Sequence, residues 1–327
     1  MVLPETIMQY SMATGAFSLL AEESPTVKIG SSDLVVYQRY LRATMQTHTG
    51  QSLPGLLPSS SIVSGNVQMK TYRISTRSQY SVFDSEAASS HGYALTEAYR
   101  LAARQGMAQQ LRNMLLYGVE AENDEGIVHS PNATTESLPA DSQGSVGYSK
   151  WESNELAQFL LNMIGAIKIR TMQIGQPLKF VFLAPQRFIA QIQYSGVVQL
   201  TSYQRPGAGT ATVAEMVAAI AAGAGGDEIV FCADDTLIGK GAGGTDLIIL
   251  SVPEIKVPDA QVNVNTNIFA TLTPNQQAMN LMFTDVAAPT EIPTPTPDGG
   301  MTTLYTLRST PGWNLRPEGV TLLSAPF

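Results

Sequence analysis

The chain has 327 residues, of which 44% are hydrophobic and only 14% are charged, and its formal net charge at pH 7 is -8. Ordinary soluble proteins carry about 25% charged residues. Because charge is depleted from the cores of protein interfaces, this composition favours a protein that contacts copies of itself. The acidic balance argues against a protein whose whole surface binds nucleic acid. The one cysteine, Cys232, excludes an internal disulfide framework and a cysteine zinc cluster.

Neither the N-terminal residues nor the most apolar stretch of the chain suggests export or membrane insertion. Residues 1–20 contain no Lys or Arg and no continuous apolar core, so they predict neither a signal peptide nor a basic targeting helix. The most apolar stretch, residues 216–226, is well short of the ~20 residues that span a bilayer. We therefore expect no membrane partner and a reducing compartment.

The first third of the chain predicts extended structure. Residues 1–50 show little periodicity apart from a short apolar segment, and residues 51–66 are rich in Pro, Gly and Ser, which indicates a break. In residues 67–83, β-branched and aromatic residues alternate with polar ones without Gly or Pro, which predicts a two-stranded ribbon or one long strand. An isolated ribbon buries too little apolar area to be stable. We expect it to pack on something outside its own domain.

Two long amphipathic helices follow. Residues 93–117 repeat apolar side chains at three- and four-residue steps up to Gly118 and predict a helix of about 37 Å. A second helix is predicted over residues 153–172, with Ser153 as its N-cap.

The remainder of the chain alternates short helices and strands. Helices are predicted around residues 187–192 and 212–222, and residues 289–297 are Pro-rich and extended. The predicted strands are residues 178–183, 228–233, 246–252, 263–272, 302–308 and 319–324.

Patterns that carry chemistry are weak. Gly239, Gly241 and Gly244 form a GxGxxG match, but the apolar strand pattern that follows offers no helix N-terminus for a phosphate, so we expect a surface loop. Asp234, Asp235 and Asp246 lack the regular spacing of a cation site, and their simplest interpretation is a solvated turn. We therefore expect no catalytic residues, no metal site and no cofactor.

The order of these elements resembles that of the major capsid proteins of tailed bacteriophages, whose fold is shared with encapsulins and the herpesvirus capsid floor. The helix-to-loop junction at residues 115–131, LLYGVEAENDEGIVHSP, and the closing segment at residues 303–326 are similar to the corresponding segments of that family. The resemblance covers nearly the whole chain and depends mainly on architecture.

The resemblance implies an α+β fold with an N-terminal arm, an extended β-hairpin loop, a peripheral domain built on a long spine helix, and an axial domain. The implied divisions are residues 1–50 for the arm, 51–90 for the loop, 91–190 for the peripheral domain, 191–290 for the axial domain, and 291–327 for strands that return to the peripheral domain.

The same resemblance implies a structural subunit of an icosahedral phage head, which self-assembles into pentamers and hexamers around double-stranded DNA. Its implied partners are further copies of itself, a scaffolding protein, a portal, a decoration or cementing protein, and the packaged DNA on the inner face. It would be part of the virion and be assembled in the bacterial cytoplasm. An encapsulin-type nanocompartment shell is the alternative, and an enzyme or a binding module is a third hypothesis.

Two sets of residues are candidates for contacts in such a shell. The ribbon should lie across a neighbouring subunit, through Lys70, Tyr72, Arg73, Ile74, Arg77 and Tyr80. Three arginines on one side of the spine helix are either its solvated face, with Glu97 paired to Arg100, or a row that meets a neighbour or the nucleic acid. These are Arg100, Arg104 and Arg112.

Overall fold

A computed structural model describes most of the chain. The described residues are 15–19, 27–30, 32–44, 61–90, 92, 94–120, 124–171, 173, 176–197, 211–255, 279–284, 289–297 and 299–327. The strand predicted at residues 263–272 lies outside them.

The described strands and helices follow one another in a mixed order. The strands are β1 (Val35–Thr44), β2 (Ser61–Lys70), β3 (Tyr72–Tyr80), β4 (Thr134–Ser137), β5 (Lys179–Ala184), β6 (Gly196–Val197), β7 (Ala211–Thr212), β8 (Glu228–Ala233), β9 (Asp246–Ser251), β10 (Leu281–Met282), β11 (Thr290–Pro295), β12 (Met301–Ser309), β13 (Trp313–Asn314) and β14 (Val320–Ala325). The helices are α1 (Val82–Ser90), α2 (Leu95–Tyr117), α3 (Ser153–Arg170), α4 (Gln186–Tyr194) and α5 (Val213–Gly225).

A five-stranded sheet in the order β4-β14-β9-β5-β8 forms the centre of the molecule. β14 is parallel to β4 and antiparallel to β9, while β5 is antiparallel to β9 and parallel to β8. All six residues of β9 are buried. A strand that is covered on both faces needs apolar residues at nearly every position, which explains the unbroken sequence LIIL in β9 and FVFL in β5.

Side chains of the central strands divide between two apolar clusters. Phe182 in β5 and Ile248 in β9 pack with α3, α4 and α5. The next residue along each strand, Leu183 and Ile249, packs on the other face with the C-terminal part of α2. This division follows from the two-residue period of a strand. The sheet is therefore covered by helices on both faces.

A second sheet, in the order β11-β12-β3, packs on the spine helix α2. β12 is antiparallel to both neighbours, and its pairing with β3 runs from Met301↔Tyr80 to Ser309↔Tyr72. Ala103 and Met107 of α2 contact Tyr305 and Leu307 of β12 together with Ile74 of β3. The Pro-rich segment predicted to be extended is β11, which takes the outer edge, where a strand tolerates proline because its N–H is not required.

The ribbon predicted over residues 67–83 is not one element. It divides at Thr71 into β2, which pairs with β1, and β3, which pairs with β12, and from Val82 onward the chain is helical. The segment was expected to pack on something outside residues 51–90, and residues 72–80 do so within the same chain, because they pair with β12. Their partner strand comes from residues more than 200 positions later, which the local pattern could not reveal.

Other predicted elements are confirmed with small shifts. The two long helices are α2 and α3, the helix over 212–222 is α5, and the strand over 228–233 is β8. A strand does follow the Gly239–Gly244 loop. The N-cap assigned to Ser153 is wrong, because the cap position is Glu152 and its side chain accepts no capping hydrogen bond.

The central sheet combines strands from three of the segments into which the sequence was divided. β5 lies within residues 91–190, β8 and β9 within 191–290, and β14 within 291–327, yet all four belong to one sheet. The boundaries near residues 190 and 290 therefore do not separate sheets. No helix in the described part of the chain is both long enough and apolar enough to cross a bilayer.

Candidate functional site

Among the described strands, β1 and β2 pair only with each other and form a hairpin apart from the other sheets. Ten residue pairs, from Val35↔Lys70 to Thr44↔Ser61, form an antiparallel ladder of about 33 Å at ~3.3 Å per residue. Tyr37 is 63% exposed and Val63 is 56% exposed. Two strands alone cannot cover each other's faces, so the hairpin presents apolar surface to solvent in the isolated chain.

The root of the hairpin is packed on the body of the molecule. Met69 is buried against Met282 and Trp313. Next to it, the Lys70 ammonium lies 3.2 Å from a carboxylate oxygen of Glu120, which follows the spine helix. This ion pair is exposed and contributes little to stability.

Thr71 and Asp33 hold the two strands of the hairpin together where they meet the second sheet. The Thr71 backbone N–H donates to the Leu34 carbonyl at 3.0 Å, and the Thr71 hydroxyl donates to the Asp33 carbonyl at 2.6 Å. Arg308 of β12 donates to the same Asp33 carbonyl at 2.6 Å. The hairpin is thus connected to β12 as well as to the spine helix.

Tyr72 connects the start of β3 to a buried carboxylate. Its hydroxyl donates to Glu125 at 2.6 Å, and the other Glu125 oxygen accepts from the backbone N–H groups of Val119 and Glu120 at 3.2 and 2.9 Å. Glu125 is 1% exposed. A buried carboxylate is tolerated when several donors satisfy it, and here they bind the hairpin root to the loop after α2.

The other ribbon residues predicted from sequence divide between the interior and the surface. Ile74 packs against α2 and the central core. The Tyr80 ring stacks on Tyr99 of α2 with centroids 5.9 Å apart. Arg73 and Arg77 are exposed on the same strand.

The arginines of the spine helix do not form one continuous row. The Arg100 Nη1 donates to Glu97 at 2.6 Å, as predicted, and its Nε lies 2.9 Å from Glu291 of β11. Arg104 lies 3.9 Å from the same Glu291 carboxylate. The hydrogen bond and charge of Glu291 raise the pKa of Arg100. Two of the three arginines therefore connect the spine helix to β11.

Arg112 belongs to a different environment near the end of α2. Burial raises the pKa of Tyr117, whose hydroxyl donates to the Thr236 carbonyl at 3.0 Å, and the charge of Arg112 opposes that rise. Lys240 of the glycine loop lies over the Tyr117 ring, 5.6 Å from its centroid. Arg112 is thus close enough to Tyr117 for its charge to act on that hydroxyl.

The three aspartates considered as a cation site serve separate purposes. Asp246 is buried and binds the Arg187 guanidinium and the Tyr148 hydroxyl. Asp234 accepts from Thr236, and Asp235 accepts from the Gln186 backbone at 2.8 Å. Within the described ranges, no group of three His, Cys, Asp or Glu side chains has the arrangement of a metal site.

Comparison with known proteins gives a fold but no sequence family. No family model matches the chain, and no curated protein matches it. A structure of the capsid of Myoviridae phage XM1 matches over 99% of this chain and 96% of its own, with a TM-score of 0.66 and 9% identity. A structure of Mycobacterium phage Che8 matches over 99% and 95%, with a TM-score of 0.55 and 14% identity. The capsid structure of cyanophage P-SCSP1u matches over 98% and 90%, with a TM-score of 0.53 and 13% identity. The predicted resemblance to the tailed-phage capsid fold is confirmed.

Proposed function

We propose that this chain, which has the fold of phage capsid subunits over nearly its whole length, is the structural subunit of an icosahedral phage head. It would assemble into pentamers and hexamers that enclose double-stranded DNA. A shared fold does not by itself establish a function. The observation that carries the proposal is the β1–β2 hairpin, a ladder about 33 Å long with exposed Tyr37 and Val63.

The hairpin is the proposed contact between subunits. Its apolar side chains gain about 25 cal/mol for each Å² that a neighbour covers. Its strands contain Arg39, Arg42 and Lys70 but no Asp or Glu, on a chain of net charge -8. A basic element on an acidic subunit favours docking on another copy through charge complementarity.

The residues predicted at this contact take two roles in the proposal. Arg73 and Arg77, which are exposed, contact the neighbouring subunit. The other four fix the hairpin root and its adjoining sheet through contacts within the chain, and these are Lys70, Tyr72, Ile74 and Tyr80. Arg104, whose side chain is 53% exposed, is the member of the arginine set available to a neighbour or to nucleic acid.

We assign the two sheets of the subunit to different positions in the shell. The block around the central sheet would approach the capsomer axis, and the sheet on α2 would lie at the periphery. The proposed partners are a scaffolding protein, a portal, a decoration protein and the packaged DNA. The chain would be assembled in the host cytoplasm and would act without catalysis.

Sedimentation velocity and electron microscopy test the proposal. The chain is expressed alone and together with its neighbouring gene products, which would include a scaffold. We expect rings or closed shells in at least one condition, because head-to-tail interfaces produce closed assemblies when the rotation closes. Monomer under every condition contradicts the proposal.

A further inference from the structure

One face of the three-stranded sheet carries cations but no carboxylate. The paired residues Ile74 of β3 and Leu307 of β12 contact α2, so their neighbours along each strand point to the opposite face. Every second residue of 73–79, 290–294 and 302–308 lies on that opposite face. These residues include three arginines and several Thr, Ser and Gln residues, but no Asp or Glu. On a chain of net charge -8, this sheet face therefore has only positive charges.

Two of the three arginines oppose each other directly across the strand pair. Arg73 of β3 and Arg308 of β12 are antiparallel partners, which places their Cβ atoms about 5 Å apart on one face, where like charges repel. Among the strand pairings of the described ranges, only this one sets two charges of the same sign opposite each other. Neither arginine forms an ion pair with a carboxylate of a described residue. The repulsion therefore has no counter-charge in this part of the chain.

Arg308 is held opposite Arg73 by the root of the hairpin. Its Nη1 donates to the Asp33 carbonyl at 2.6 Å, and the Thr71 hydroxyl donates to the same oxygen at 2.6 Å. The Asp33 carboxylate instead accepts from the backbone N–H of Gly30 at 2.7 Å. A neutral carbonyl satisfies one guanidinium donor but leaves the positive charge uncompensated. Because a guanidinium has five N–H donors, Arg308 keeps donors for a further ligand.

Hydroxyl groups complete the surroundings of the arginine pair. Ser75 and Thr306 are the next paired residues on the same face, about 7 Å further along the strands at ~3.3 Å per residue. Arg73 and Ser75 are exposed, while Thr306 and Arg308 are half-buried. A phosphate group at pH 7 carries a charge of about -1.5 to -2 and three strong acceptor oxygens. One phosphate therefore neutralises both arginines, whereas one carboxylate neutralises a single arginine.

We infer that the Arg73–Arg308 pair, with the two hydroxyl groups beside it, forms a binding site for a phosphate group, supplied as free phosphate or as a phosphate monoester. Arginine binds phosphate through short, charge-assisted and often bidentate hydrogen bonds. The bound anion replaces the repulsion across the strand pair with two attractive contacts, next to the point where the hairpin joins β3. The inference goes beyond the proposed function, because the site is complete within one chain.

Thermal melting of the full chain tests the site. At pH 7, about 10 mM sodium phosphate is compared with sodium chloride of the same ionic strength, which screens charge equally. We expect phosphate to raise the melting temperature by about 2 °C, because a ligand of the folded state stabilises it. In Arg73→Gln both the repulsion and the site are lost. We expect that variant to melt at or above the parental temperature in chloride and to gain nothing from phosphate.

Arg77→Gln is the matched control for this variant. Arg77 is exposed on the same strand, but its partner across the ladder is Leu304, so the substitution removes a charge without changing the arginine pair. We expect it to keep the full response to phosphate. An equal gain from phosphate in the parent and in Arg73→Gln would overturn the inference, because the gain would then be a general salt effect.

Isothermal titration calorimetry identifies the source of the phosphate group. The probes are sodium phosphate, adenosine monophosphate and a short DNA duplex, whose phosphates are diesters. We expect about one phosphate or monoester per chain in the parent and none in Arg73→Gln. Binding of the duplex alone, lost in Arg73→Gln, would overturn the inference in favour of a nucleic-acid contact. These measurements do not involve shells, so their outcome leaves the proposed function untouched.

Discussion

Asp246 shows how one residue joins the start of the central strand β9 to the end of the chain. Its buried carboxylate binds Arg187 of α4 and Tyr148, whose backbone N–H donates to Pro326 at 3.0 Å. The Arg187 guanidinium lies over the Phe327 ring, 4.7 Å from its centroid. Burial by itself raises the pKa of Asp246, but the hydrogen bonds from Arg187 and Tyr148 outweigh it, so that the pKa is lowered overall. The charged form is the one that the fold stabilises.

Asp246→Asn should lower the free energy of unfolding by about 3 kcal/mol, the lower end for breaking a buried ion pair, because Arg187 is partly exposed. Urea denaturation at pH 7 measures this change. Glu86→Gln removes a carboxylate from the surface of α1 and is the control, which should stay within about 0.5 kcal/mol of the parent. A loss as small as that of the control would show that the pair contributes nothing.

The lowered pKa of Asp246 also sets a pH dependence. A carboxyl whose folded pKa lies below its unfolded value of 3.8 stabilises the fold above that value. Its contribution is lost as the pH falls from about 4 through the folded pKa. The stability difference between the parent and Asp246→Asn, measured by urea denaturation, should therefore be constant from pH 7 to 5 and shrink below pH 4. A difference that instead grows at low pH would mean that the folded pKa is raised.

Gly118 ends the spine helix in a backbone conformation that side chains disfavour. Its φ is 71°, and an added Cβ would lie 2.5 Å from the Cβ of Glu125. Gly118→Ala should destabilise the fold by about 1–3 kcal/mol through backbone strain and this contact. Gly92→Ala is the matched control, because Gly92 has a φ of 77° with nothing within 4 Å. Thermal melting of both variants separates the strain from the clash, and equal losses would leave no role for Glu125.

At the scale of elements, the root of the hairpin depends on the contact between Tyr72 and Glu125. Tyr72→Phe removes one donor from a buried carboxylate and should cost about 1–3 kcal/mol. Tyr80→Phe on the same strand keeps its stacking on Tyr99 and loses only a 3.8 Å contact with the Met301 sulfur, so it should be nearly neutral. Chemical denaturation compares the two variants. Equal losses would mean that the Tyr72 hydroxyl has no special role.

Elements defined by local periodicity could be predicted from the sequence, and their long-range partners could not. The spine helix and β8 were found because their apolar spacing is a local property. Nothing near β3 indicates that β12 pairs with it, since Tyr80 and Met301 are 221 positions apart. The same limit applies to the candidate site. The contact of Glu97 with Arg100 follows from helical spacing. The contact of Glu291 with the same side chain depends on the position of β11 beside α2, which local spacing does not predict.

At the scale of the whole molecule, the two halves of the predicted ribbon should behave differently when they are removed. β3 pairs with β12 and packs on α2 through Ile74. Deletion of residues 70–79 should therefore prevent folding, since it removes a strand of the body. The β1–β2 hairpin contributes only Met69 to the buried core among its described side chains.

Shortening the hairpin separates folding from assembly. Gln38 and Val67 are directly paired across the ladder, so residues 39–66 can be replaced by Asn-Gly, a two-residue turn that suits antiparallel strands. The root contacts of Met69, Lys70 and Thr71 remain. We expect near-parental circular dichroism and a cooperative melt, because no described side chain between residues 39 and 66 belongs to a buried cluster, but no rings or shells by electron microscopy. Normal shells from this variant would show that the hairpin is not the brace, and a loss of the cooperative melt would show that it belongs to the folding core.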